Sequence, residues 1–222
     1  PLMAGSDNIT IHVEGRGGHG SSPWATIDPI VAASQVVMGL QTVVSRQLNI
    51  SQEPAVVTIG QIQGGTRYNI IPDKVEMLGT LRTFDEDMRC PPPIRAAAGC
   101  RCITTTVKSI AAASGAKASV RFGPVAYPVT TNPAQLTQAS LPALNRAMGG
   151  KTMVIPKVAG SEDFSEFQKV VPGFFYFLGA PPKGKEFAKA PPNHSALFDI
   201  DEDQLPTGAR SLAALAVDFL QR

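Results

Sequence analysis

Hydrophobic and polar positions alternate cleanly near the start of the chain. Ile9, Ile11 and Val13 are interleaved with Thr10, His12 and Glu14, which predicts a strand with one buried face. The period then changes: Ile30, Ala33, Val37, Leu40 and Val44 recur at helical spacing, with Asp28 placed to cap the helix and Pro29 in its first turn. Residues 55–62 predict a second strand. Lys74–Phe84 predicts a third, with Val75, Met77 and Leu81 on one face and Arg82 on the other. A second helix is expected between about Ile94 and Ser114, although Gly99 and Thr104-Thr105-Thr106 are poor helix formers. Lys117–Phe122 is expected to return as a fourth strand. The order βαββαβ fits a ferredoxin-like sandwich, with both helices on one face of an antiparallel sheet. The other face would carry Thr10, His12 and Glu14, and an uncovered face or helix edge of this kind is a natural dimer surface.

The pattern changes after the turn-rich Pro124-Val125-Ala126-Tyr127-Pro128. A helix is expected from Asn132-Pro133 to Met148, closed by Gly149-Gly150. Short strands are expected at Thr152–Ile155 and Phe174–Leu178, a helix beginning near Ser161, and an amphipathic helix from Leu205 to Leu220. Alternating strands and helices suggest part of an α/β layer. Two strands make a poor sheet, so this half reads as unfinished.

Composition narrows the setting. Of 222 residues, 43% are hydrophobic and 17% charged, as in ordinary globular proteins, and a net charge of +2 gives no case for nucleic acid or an anionic membrane as partner. No apolar run approaches a membrane span, and no signal peptide is evident. The chain begins at Pro1, so the natural start is expected further upstream. Cys90, Cys100 and Cys102 are odd in number and not spaced as a zinc ribbon, which favours reduced thiols and a cytoplasmic location.

The candidate chemistry is dispersed. His19, one of three histidines, lies within Gly17-Gly18-His19-Gly20-Ser21-Ser22-Pro23. Flanking glycines let a substrate or a second backbone approach the imidazole, and both a functional and a solvated histidine fit this setting. His194 ends a proline-rich loop, with Asp199, Asp201 and Glu202 behind it. It reads either as a metal ligand oriented by an acid or as a solvated ring beside acids that favour a helix N-terminus. Ser161 either offers an anion-binding turn or caps the helix that follows. Asn69 suits an amide donor or a local turn. Arg82 suits a two-pronged grip on a carboxylate or plain solvation, and His12 suits a sheet face. Gly-x-Ser-x-Gly, His-Glu-x-x-His and phosphate-loop motifs are absent. A site completed from elsewhere is expected.

Taken together, these motifs resemble the M20 family of metal-dependent peptidases and amidohydrolases, near its N-acyl-amino-acid and hippurate hydrolases. The resemblance rests on Gly17-Gly18-His19-Gly20 with Pro23, Ile27-Asp28-Pro29-Ile30, Asn69-Ile70-Ile71-Pro72-Asp73 and Gly79-Thr80-Leu81-Arg82-Thr83-Phe84. It continues through Ser161-Glu162-Asp163-Phe164-Ser165, Val171-Pro172-Gly173-Phe174 and His194-Ser195 with Phe198-Asp199-Ile200-Asp201-Glu202. Residues 90–106 depart from the charged helix usual there.

The resemblance implies an α/β architecture with an α+β lid. Residues 1–7 would be a connector, 8–122 the ferredoxin-like lid and dimerisation domain, and 123–222 the C-terminal half of a metallopeptidase catalytic domain whose first half lies upstream. It implies hydrolysis of the amide bond of N-acyl amino acids or short peptides. Two divalent metal ions, Zn or Mn, would serve the reaction, with most of their ligands upstream. In such a site the metal pair activates water and polarises the amide carbonyl. Carried over by motif, His19 would stabilise the oxyanion in a partner subunit's site of a homodimer and His194 would be the last metal ligand. Asn69, Arg82 and Ser161 would contact substrate. A non-catalytic dimerisation or binding module derived from such an enzyme is the alternative.

Overall fold

The computed structural model describes residues 1–89 and 98–222. The chain forms two compact units, one of Pro1–Thr131 with Lys157–Lys169 and the other of Asn132–Pro156 with Val170–Arg222.

The first unit opens with strand β1 (Gly5–Glu14), a two-residue strand β2 (Gly18–His19) and helix α1 (Pro29–Thr42). Strand β3 (Ala55–Gly64), the short β4 (Ile70–Ile71) and β5 (Lys74–Thr83) follow. Helix α2 (Ala98–Ala113) and strand β6 (Lys117–Tyr127) complete it. The long strands form one antiparallel sheet in the order β3-β5-β1-β6. This is the sheet order of a ferredoxin-like βαββαβ sandwich, as the alternation predicts.

Period-2 alternation decides which way β1 faces. Ile9, Ile11 and Val13 are fully buried, joined by Val75, Met77 and Leu81 from β5. Onto them pack Ala32, Ala33, Val36 and Leu40 of α1 and Cys100, Ile103, Val107 and Ala111 of α2. Truncating a residue such as Met77 to alanine would cost about 2–5 kcal/mol in transfer and cavity terms. The α1 stripe is rotated from its predicted position, with Ile30 44% exposed. Small Ala32 and Ala33 let the helix lie close to the sheet, which turns Ile30 and Val31 outward. Asp28 caps α1 as expected, accepting from the amides of Ile30 and Val31. A π-helical turn, Val43–Gln47, ends the helix.

The described part of the second predicted helix is α2, despite its threonines. Gly99 is needed there because a Cβ at that position would lie 2.1 Å from the Met88 carbonyl oxygen. The rest of that prediction, and Cys90, fall outside the described residues. Cys100 is disulfide-bonded, whereas Cys102 is free. This corrects the expectation of reduced thiols and, since such bonds persist in oxidising compartments, removes the cysteine-based support for a cytoplasmic location.

On the uncovered sheet face charged residues pair across strands, beside exposed Val56 and Leu78. His12 stands opposite Glu76, with Nδ1 3.5 Å from the carboxylate, and Glu14 stands opposite Lys74 and Lys117. His12 is thus a sheet-face residue, as its alternation indicates.

Helix α3 (Ala134–Ala147) begins the second unit, α4 (Phe164–Gln168) belongs to the first, and α5 (Leu205–Leu220) ends the chain. In the second unit α3 and α5 pack together. The predicted strands at 152–155 and 174–178 do not form. A strand requires a neighbouring ladder, and neither segment has one among the described residues. Both backbone groups of Phe175 are instead satisfied by one side chain. Asn132 Nδ2 donates to its carbonyl at 2.7 Å, and its N–H donates to Asn132 Oδ1 at 2.8 Å. Within this run Phe174 stacks on Tyr176 and Phe175 lies edge-on to Phe177. Among the described residues no helix is long and apolar enough to cross a membrane.

Candidate active site

His19 is held in place by backbone. The β2·β4 ladder sets Gly18 opposite Ile71 and His19 opposite Ile70. It is extended at one end by the Gly20 N–H donating to the Asn69 carbonyl at 2.9 Å and at the other by the Gly17 N–H donating to Asp73 Oδ1 at 2.9 Å. The ladder thus sets His19 opposite Ile70 and brings the Asn69 backbone to Gly20, one residue further along each strand. The glycines serve this approach of a second backbone: a Cβ on Gly17 would lie 2.6 Å from the Ile71 carbonyl oxygen. His19 and Asn69 are both exposed. The chain turns directly after the ring, with the Ser22 N–H donating to the His19 carbonyl at 2.9 Å.

Arg82 and Ser161, 79 positions apart, also meet. The guanidinium Nη1 donates to Ser161 Oγ at 3.0 Å. Arg82 points to the sheet face opposite Val75, Met77 and Leu81, as predicted, and is neither fully exposed nor buried. Ser161 is not the helix cap. Helix α4 starts three residues later, so Asp163 holds the cap position and makes no side-chain cap bond, while the Ser161 hydroxyl accepts from Arg82.

His194 belongs to the second unit and is exposed. Its φ of 69° makes it the one non-glycine residue with positive φ among those described. It is the third residue of a turn closed by the Ser195 N–H donating to the Pro192 carbonyl at 3.1 Å, a slot that usually favours glycine or asparagine. The acids behind it serve the backbone. Asp199 accepts from Ile200 N–H at 2.9 Å, and Asp201 accepts from Asp203 N–H at 3.2 Å, capping the turn into α5. Among the described residues no three His, Cys, Asp or Glu side chains are grouped to hold a metal ion. These residues do not by themselves fit a two-metal centre; His194 offers one imidazole.

One polar cluster escapes the sequence reading. Arg89 is 2% exposed and donates to Asp7 at 3.2 Å and to Glu86 at 2.7 Å. The other oxygen of Glu86 accepts from Val129 N–H at 2.6 Å. The available signal is the register of β1, since Asp7 continues the odd-numbered, core-facing series of Ile9, Ile11 and Val13. A carboxylate on a core face requires a buried partner. Two shallow concavities open elsewhere, of about 360 Å³ beside Glu86, Val129 and Lys169 and about 420 Å³ among Arg146, Arg210 and Asp218. None of His19, Asn69, Arg82, Ser161 or His194 lines them.

The first unit thus combines a ferredoxin-like sandwich with a separate two-stranded ladder that carries an exposed, glycine-flanked histidine. Residues 6–218 match peptidase family M20/M25/M40, and the chain belongs to that family. It is 38% identical over 219 residues to thermostable carboxypeptidase 2 of Saccharolobus solfataricus, across 99% of this chain and 53% of that protein. It is 38% identical over 221 residues to N-acetylcysteine deacetylase of Bacillus subtilis, across 100% of this chain and 54% of that one. Among solved structures it is similar to a Bacillus subtilis dinuclear metal binding peptidase of the M20 family. That match has a TM-score of 0.75 and 32% identity, over 100% of this chain and 51% of that one. The chain spans about half the length of the curated relatives it matches.

Proposed function

We propose that this chain supplies the lid and the C-terminal part of a metal-dependent hydrolase that cleaves the amide bond of N-acyl amino acids or short peptides. The observation that supports this reading is the β2·β4 ladder, which holds exposed His19 opposite Ile70 and ties the following Gly20 to the Asn69 backbone, in a chain of a peptidase family. In this reading residues 1–7 are the connector, 8–122 the lid and 123–222 the catalytic part.

Each residue has its own task. His19 donates a hydrogen bond to the oxyanion that develops on the scissile carbonyl, and Asn69 offers its amide to the substrate beside it. Arg82, steadied by Ser161, receives the substrate carboxylate. His194 contributes an imidazole to a divalent metal pair, Zn or Mn, most of whose ligands come from the half upstream of this chain. The lid forms a homodimer through the outer face of α1, where Val31 and Met38, two turns apart, are 52% and 72% exposed.

The test is hydrolysis of an N-acyl amino acid, with and without added zinc or manganese. It is run on this chain and on a polypeptide that also carries the upstream half. Metal-dependent turnover in the longer polypeptide, cut about 10²–10³-fold by His19→Ala as for loss of an oxyanion donor, supports the reading. A longer polypeptide with neither metal nor turnover favours a binding module instead.

A further inference from the structure

The turn that carries His19 holds a second side chain whose contacts decide what the ring offers. We infer that Ser21 is a positioning residue that fixes the His19 imidazole as its Nε2–H tautomer. The ring then presents a proton donor, not a lone pair, on the side away from the turn. This deepens the proposed donor role of His19 and rests on it for its meaning in catalysis, though not for its test.

A neutral imidazole has one N–H and one acceptor nitrogen, and the partner of either nitrogen settles which is which. The backbone N–H of Ser21 donates to His19 Nδ1 at 3.1 Å. An amide nitrogen has no lone pair to give, so Nδ1 must be the acceptor. A proton on Nδ1 would face the amide hydrogen directly. The Ser21 hydroxyl stands 2.7 Å from the same nitrogen and is free to rotate its hydrogen towards it. Two donors from one residue therefore converge on Nδ1.

The amide is held by the loop around it. Ser22 N–H closes the turn onto the His19 carbonyl, and Gly20 N–H is tied to Asn69, both at 2.9 Å. The neutral ring's single N–H is thus left on Nε2, on an exposed residue. This assignment makes His19 a hydrogen-bond donor and removes the outward lone pair that a general base would need.

The test reads the tautomer directly and involves no turnover. The 222-residue chain has three histidines, so ¹⁵N-labelled imidazoles are assignable by single replacement of each. At a pH where the ring is neutral, we expect His19 Nδ1 to resonate as an unprotonated nitrogen and Nε2 as a protonated one. We also expect a scalar coupling through the hydrogen bond from the Ser21 amide to Nδ1. Ser21→Ala keeps the amide but loses the hydroxyl. It should raise the Nδ1–H population roughly 2–10-fold, the range that the net strength of one hydrogen bond sets, and Ser21→Thr should restore the native ratio. A protonated Nδ1, absence of the coupling, or an unchanged ratio in Ser21→Ala would overturn the inference. A fixed Nε2–H tautomer together with an enzyme indifferent to His19→Ala would instead overturn the proposed function alone.

Discussion

Arg89 donates to the carboxylate of Asp7 at 3.2 Å across 82 positions of chain, and the two side chains are 2% and 1% exposed. The pair joins the start of β1 to the turn after β5, and Glu86 carries the linkage to Val129. Removing Asp7 takes away one of the two carboxylates that hold the buried guanidinium and leaves it Glu86 alone. Asp7→Ala should cost about 1.5–3 kcal/mol, the worth of one hydrogen bond to a charged group, read from urea unfolding, while replacing both residues by apolar ones of similar size should cost less than either single change. A single replacement that costs under about 1 kcal/mol would contradict the burial argument.

Gly99 should respond with the opposite sign to an ordinary helix glycine. In an open helix Gly→Ala stabilises by about 1 kcal/mol. Here the new Cβ would lie 2.1 Å from a backbone oxygen and 3.0 Å from Leu81 Cδ2, so Gly99→Ala should destabilise by about 1–3 kcal/mol through overpacking. Thermal unfolding of the two proteins decides the sign.

His194 holds a conformation that costs a non-glycine residue about 1–3 kcal/mol. His194→Gly should therefore stabilise the chain by about 1 kcal/mol, after allowance for the greater freedom of glycine when unfolded. If the ring is a metal ligand, the same change should lower the metal content of the complete enzyme, measured by elemental analysis. Gained stability with lost metal is the expected pairing.

Arg82, held by Ser161 at one nitrogen, should discriminate free carboxylates. In the complete enzyme Arg82→Met should lower kcat/KM for an N-acyl amino acid by about 10–100-fold, the worth of a hydrogen bond to a charged group. The matching carboxamide substrate should be little affected. Equal losses on both substrates would assign Arg82 a structural role.

The proposed dimer predicts that Met38→Asp, on the exposed face of α1, shifts sedimentation towards monomer and leaves the far-ultraviolet circular dichroism unchanged. Unaltered sedimentation would place the interface elsewhere.

How much of this was legible beforehand depended on the range of the interaction. Ile9, Ile11 and Val13 announce β1 because alternation is local, and Asp28-Pro29 announces α1 because capping is local. Leu205–Leu220 was legible for the same reason, through its apolar stripe. Phe174–Leu178 misled because a run of aromatics suggests a strand locally, whereas a strand also needs a neighbour. Ser161 misled because the helix starts later than the local pattern suggests, with Asp163 at the cap position, and its hydroxyl meets an arginine 79 positions away. The joining of the His19 and Asn69 segments was visible only as two separate motifs, since the β2·β4 ladder that pairs His19 with Ile70 spans about fifty positions of intervening fold. Asp7 was legible in principle, as an acid in a core-facing register, but its partner was not.

Residues 157–169 return to the first unit after the chain has left it at Thr131. They are tied there by Ala4 N–H to the Val158 carbonyl, by Lys157 to Glu53 and by Ser161 to Arg82. None of these links runs through the covalent path between 132 and 156. A protease cut in that excursion should therefore leave the returning segment clasped to the sheet unit, and the severed pieces should elute together until a denaturant separates them.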